Sequence, residues 1–148
     1  MKNLILLSAL SLSFAACNNA AKNETISSQS DMQMPAVVSS IAFESAYVGK
    51  PGEEDEIPLY QVALTVNGQK TILDTVSSCT PIPKEDFKSK EIPQTALAAA
   101  GGWWAGAGDY FYAIQEGNDV VVMAGWQDET QEDEGYHYKA FKKIPIKK

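Results

Sequence analysis

The stretch from Leu59 to Val76 constrains the fold most. Two runs rich in β-favouring residues, Leu59 to Val66 and Gln69 to Val76, flank Asn67-Gly68. That dipeptide supplies the two positive-φ residues of a type I′ turn, so the spacing predicts a β-hairpin with a two-residue turn. Tyr60, Val62, Leu64 and Val66 share one face of it. The turn sets Val66 opposite Gln69, Leu64 opposite Thr71 and Val62 opposite Leu73, and the shared face grows more apolar away from the turn.

The remaining strands follow by alternation. Ser40 to Val48 alternates Ile41, Phe43 and Tyr47 against Glu44, and reads as a first strand. Asp109 to Gln115 and Val120 to Trp126 form a second hairpin, with its turn at Gly117-Asn118 or spread over Glu116 to Asp119. Val120-Val121-Val122-Met123 is apolar on both faces and therefore central. Tyr136 to Phe141 alternates as a last strand. Pro81, Pro83 and Pro93 punctuate the middle of the chain. Lys84 to Lys90 allows a turn or two of helix there, and Pro93 to Ala100, alanine-rich at its end, predicts a second short helix stopped by Gly101-Gly102. The expected class is mainly β, with α+β as the alternative: a curled antiparallel sheet or small barrel of about six strands, with one or two short helices before the fourth, spanning residues 39–148.

The chain opens with the basic Met1-Lys2-Asn3 and an apolar run from Leu4 to Phe14, about the length of a secretory core and too short to span a bilayer. Phe14-Ala15-Ala16-Cys17 follows. This resembles the lipobox of bacterial lipoproteins, which implies a signal peptide over 1–16, cleavage before Cys17 and a diacylglycerol on its thiol. The implied protein is tethered to a membrane through lipid, with 17–38 as a polar spacer. Asn18 is not the aspartate that retains enteric lipoproteins at the inner membrane, so the analogy favours the cell envelope and its outer membrane, on either face. Lipidation of Cys17 would leave Cys79 without a partner in the chain, so the core must hold the fold without a disulfide.

Charge narrows the partners. Twelve lysines and no arginine face nineteen acids, for a net charge of −7, which argues against nucleic acid or an anionic bilayer surface. The acidic run Glu53 to Glu56 lacks EF-hand spacing and reads as a solvated loop, and Asp128 to Glu134 reads as a second acidic loop.

Chemistry concentrates in Gly101 to Tyr112, which holds two of the three tryptophans and four of the ten glycines. Such a segment either plugs a core or makes a pocket, because indoles bury much apolar area while glycine lets other groups approach closely. Trp103, Trp104, Asp109, Tyr110 and Tyr112, joined by Trp126, are the candidate ligand-binding residues, with rings for sugar faces or cations and acids for hydroxyls or ammonium groups. An envelope glycan, peptide or protein is the partner expected. Trp103 and Trp104 point opposite ways in an extended segment.

Leu73-Asp74-Thr75-Val76-Ser77-Ser78 resembles the hydrophobic-Asp-Thr-Gly-Ala/Ser-Ser motif of retropepsin-like aspartic proteases. The resemblance implies Asp74 as a catalytic acid sharing a proton with a twin, and Thr75 as its brace. Val76 stands where that family has glycine, and a β-branched residue crowds the loop. A strand ending at a polar turn is the preferred reading, with no catalytic residue. The lone His137 serves no Gly-x-Ser-x-Gly elbow, and with one unpaired cysteine it gives no zinc set. Cys79 reads as a buried small hydrophobe, and no metal or cofactor is expected.

Overall fold

A computed structural model describes residues 36–49, 57–130 and 135–147. The leader, Cys17, most of the spacer, Glu53 to Glu56 and residues 131–134 lie outside the described residues. Among the described residues eight strands run in order: β1 (Ile41–Tyr47), β2 (Tyr60–Val66), β3 (Gln69–Val76), β4 (Thr80–Pro81), β5 (Ala98–Trp104), β6 (Ala107–Glu116), β7 (Asp119–Asp128) and β8 (Lys139–Pro145). They make two antiparallel sheets, β1-β2-β3 and β4-β5-β6-β7-β8. The class is mainly β, as the alternation implies, but the sheets do not close into a barrel. Side chains stitch the gaps instead. Lys142 Nζ on β8 donates to the Ile72 carbonyl on β3 at 2.8 Å, and the Ser45 hydroxyl on β1 donates to the Cys79 carbonyl at 2.7 Å.

The first hairpin forms where expected, with Asn67 at φ 49° and Gly68 at φ 78°. Its register holds for Val66 with Gln69 and Leu64 with Thr71, then breaks. A bulge between Val62 and Ala63 sets Val62 opposite Asp74, not Leu73. The extra residue changes which side chains face inward, so Leu73 and Val76 are both buried while Asp74 and Thr75 are exposed. The second hairpin turns at Gly117-Asn118, since Glu116 pairs Asp119, and only Gly117 takes a positive φ, the pattern of a type II′ turn.

The helix expected over Pro93 to Ala100 is absent. Ala98 to Ala100 begin β5, which pairs with β6 from Ala98↔Ala113 to Trp104↔Ala107 around an Ala105-Gly106 turn. Tertiary pairing overrides alanine's helical preference here, because only small side chains fit where Ala99 and Ala100 are packed, at 3% and 1% exposure. Lys84 to Lys90 does make two 3₁₀ turns, Lys84–Asp86 and Lys88–Lys90. They precede β5. The last strand starts at Lys139, three residues later than the alternation suggests.

Among the described residues, two clusters form the core. Phe43, Val62, Leu64, Val66, Leu73 and Val76 of the smaller sheet pack against Phe111, Ala113, Val120, Val122 and Ile144 of the larger. On the outer face of the larger sheet, Phe87, Ile92 and Ala96 of the 82–97 excursion pack on Ala99 and Tyr112. That second layer is why the middle strands are apolar on both sides.

The body begins earlier than residue 39. Ala36 is buried, its N–H donates to Asn118 Oδ1 at 2.7 Å, and its carbonyl accepts from Gln115 Nε2 at 2.7 Å. Asn67 Oδ1 accepts from the Ser39 and Ser40 amides, and its Nδ2 donates to the Val37 carbonyl. The asparagines of both hairpin turns thus clasp the lead-in segment at one end of the domain. The Ala105-Gly106 turn is at the other end, a β6 length of about 30 Å away. No described helix is long and apolar enough to cross a membrane.

Candidate ligand-binding clefts

The outer face of the larger sheet explains why glycines and rings occur together. The register runs Gly101↔Tyr110↔Gly125 in one row and Trp103↔Gly108↔Gln127 in the next. Each ring therefore has glycine beside it across the strand. A Cβ on Gly108 would sit 2.7 Å from Trp103 Cε3 and 2.8 Å from Tyr110 Cε2, and one on Gly125 would sit 2.5 Å from Tyr138 Cδ1. The Tyr110 ring likewise occupies the space a Cβ on Gly101 would need. The rings lie on bare backbone, which makes a low aromatic floor.

A wall rises beside it. Tyr136 meets Tyr110 edge to face at 4.9 Å, Tyr138 meets Tyr112 at 4.9 Å, and Tyr136 and Tyr138 stack at 5.9 Å. Lys90, at the end of the second 3₁₀ turn, holds its ammonium 5.5 Å from the Tyr110 centroid and 5.8 Å from that of Tyr136. The Tyr138 hydroxyl donates to the Lys90 carbonyl at 2.9 Å, fixing the turn to the wall. Burial raises the Tyr110 hydroxyl above its ordinary pKa, and the Lys90 ammonium opposes that shift. Burial and then the neighbouring tyrosines push Tyr138 well above the usual range. Both phenols are therefore neutral hydroxyls across the physiological range. Lys90, Trp103, Tyr110, Gln127 and Tyr136 line an open cleft of about 460 Å³.

The opposite face carries a second, smaller cleft of about 260 Å³ where the two sheets part, with Asp74, Asp109, Phe111, Trp126, Lys139 and Phe141 among its lining residues. The bulge in β3 leaves Asp74 outward here, accepting from the Thr75 amide at 2.8 Å. Burial first, and the Asp74 charge second, raise the Asp109 carboxyl above the ordinary aspartate value. Burial, with the Asp109 charge behind it, also pushes the Cys79 thiol up to about 11. Cys79 is buried as a small apolar group and is not poised as a thiolate.

The six nominated residues do not form one patch. Alternation along β5 and β6 sends Trp103 and Tyr110 to the outer cleft, and Asp109, with its cross-strand neighbour Trp126, to the inter-sheet cleft. Trp104 adjoins the Ala105-Gly106 turn and lines neither. Tyr112 is a core residue packed with Phe87 and Ile92. The three indoles, at 41%, 46% and 42% exposure, all stand half out of the surface. His137 lies in the approach to β8, its ring 5.3 Å from that of Trp126. Lys90 and Gln127 were not legible as site residues. The one hint was Phe87, a lone apolar residue among charges, which docks its turn and carries Lys90 to the cleft. Among the described residues no group of three His, Cys, Asp or Glu side chains could hold a metal ion. No protein-family model, curated protein or solved structure matches this chain.

Proposed function

We propose that this chain is a membrane-anchored exported lipoprotein whose β-rich domain is a non-enzymatic binding module of the cell envelope, with the outer cleft as its ligand site. The observation that carries the reading is Trp103, a half-exposed indole set over Gly108 beside Tyr110 and Tyr136, with the polar ends of Gln127 and Lys90 at the same cleft. Ring faces with a few polar groups around them suit a ligand that has both an apolar face and hydroxyls, such as an envelope glycan. Tryptophan fluorescence of the full chain in detergent, titrated with envelope glycans and peptides, tests this. Trp103→Ala is expected to weaken binding by about 2 kcal/mol or more. A titration that Trp103→Ala leaves unchanged would place the ligand elsewhere.

A second reading, a divergent retropepsin-like hydrolase centred on Asp74, is favoured by the second carboxylate of Asp109 in the same cleft. Adjacent acids that share a proton are what a water-activating pair requires. Val76, buried at the family's glycine position, weighs against it. Incubation with a denatured polypeptide at mildly acidic pH decides: cleavage lost in both Asp74→Asn and Asp109→Asn would support hydrolysis, and no cleavage by the unmodified chain retires it.

A further inference from the structure

The outer cleft is selective in what it offers. Of its five lining residues, Lys90 alone is charged, in a protein of net charge −7. Its position is built, not incidental. Phe87, 1% exposed, anchors the turn, Tyr138 ties the Lys90 carbonyl, and the ammonium rests against the Tyr110 and Tyr136 rings. An ammonium has three donors; ring contact and a hydrogen bond to the Tyr110 hydroxyl hold it, and the other donors are left for a ligand oxygen. The other liners are a half-exposed indole, two neutral hydroxyls and an amide.

Each ligand class meets this set differently. A cation would face the ammonium. A purely apolar ligand would strip water from Lys90, Gln127 and two hydroxyls without replacing it. A phosphate ester brings up to two charges to a site with one point charge and no arginine fork. A carboxylated sugar has a complement for every group: a ring face for Trp103, hydroxyls for Gln127 and the tyrosines, and a single negative charge for Lys90. We propose that the outer cleft binds a uronic-acid unit of an acidic glycan, with Lys90 selecting the carboxylate. This rests on the reading of that cleft as the ligand site.

The test is a set of fluorescence titrations of the full chain in detergent with an oligogalacturonate, a neutral galacto-oligosaccharide of equal length, and a sugar phosphate. The uronate is expected to bind about tenfold tighter than the neutral oligomer, as one charge-assisted hydrogen bond allows. That advantage should shrink with added salt. Lys90→Met keeps the aliphatic stem against the rings and should bring the two oligomers to the same affinity. Gln127→Ala should weaken both and preserve their ratio, separating loss of charge recognition from a disturbed cleft. Equal affinity in the unmodified chain, a preference that survives Lys90→Met, or tighter binding of the sugar phosphate each overturns the uronate assignment while leaving the cleft as a site. If none of the three binds, the reading of the cleft itself falls.

Discussion

Phe87→Ala is expected to lower the unfolding free energy by about 3–5 kcal/mol, the range for deleting a fully buried phenylalanine. Phe87 is one of the largest enclosed side chains, and it is the central ring holding the 82–97 excursion on the sheet, against Ile92, Ala96, Ala99 and Tyr112. Its two 3₁₀ turns are too short to persist without that contact. For a domain near one hundred residues, the loss corresponds to a midpoint drop on the order of 20 °C. Urea denaturation followed by circular dichroism measures it. The same variant should also lose ligand affinity, because the Lys90 wall depends on the turn that Phe87 seats. A loss under about 1 kcal/mol would mean that the outer layer is ornamental and that the sandwich core alone holds the domain.

Gly101→Ala is expected to destabilise by about 1–3 kcal/mol. The sign is the informative part, since glycine inside a strand ordinarily costs roughly 0.5–1 kcal/mol relative to alanine. Here the added methyl would meet the Asp109 carbonyl oxygen at 2.7 Å and the Tyr110 Cα at 3.0 Å, as well as the Tyr110 ring. Backbone cannot swing aside as a side-chain tip can. Thermal denaturation of this one variant reports on the packing of ring over glycine, and a stabilised Gly101→Ala would refute that arrangement.

How far the fold could be read in advance depended on how local its causes are. Both asparagine-containing turns follow from two or four adjacent residues, and so do the strands they join. The bulge opposite Val62 has no such local cause; it lets Leu73 and Val76, three residues apart, both face the one core, a requirement set by tertiary packing and not by the turn. β5 was hidden for the same reason, because an alanine run reads as helix unless a neighbour demands small side chains. Part of the candidate site was visible as a concentration of rings and glycines. Its division between two faces was implied by strand alternation, but only once Gly101 to Trp104 is known to be a strand. Lys90 and Gln127 reach the outer cleft through tertiary docking, which no spacing within the chain records.

The clasp of Asn67 and Asn118 on residues 36–40 also has a mechanical consequence. Force entering at Ala36 meets those side-chain bonds first and then runs lengthwise along β1, whose seven residue pairs with β2 extend from Ile41↔Val66 to Tyr47↔Tyr60. Ladder bonds lie across the strand axis, so a lengthwise pull shears them together and does not peel them one by one. A leash attached at this point would load the domain through that shear geometry.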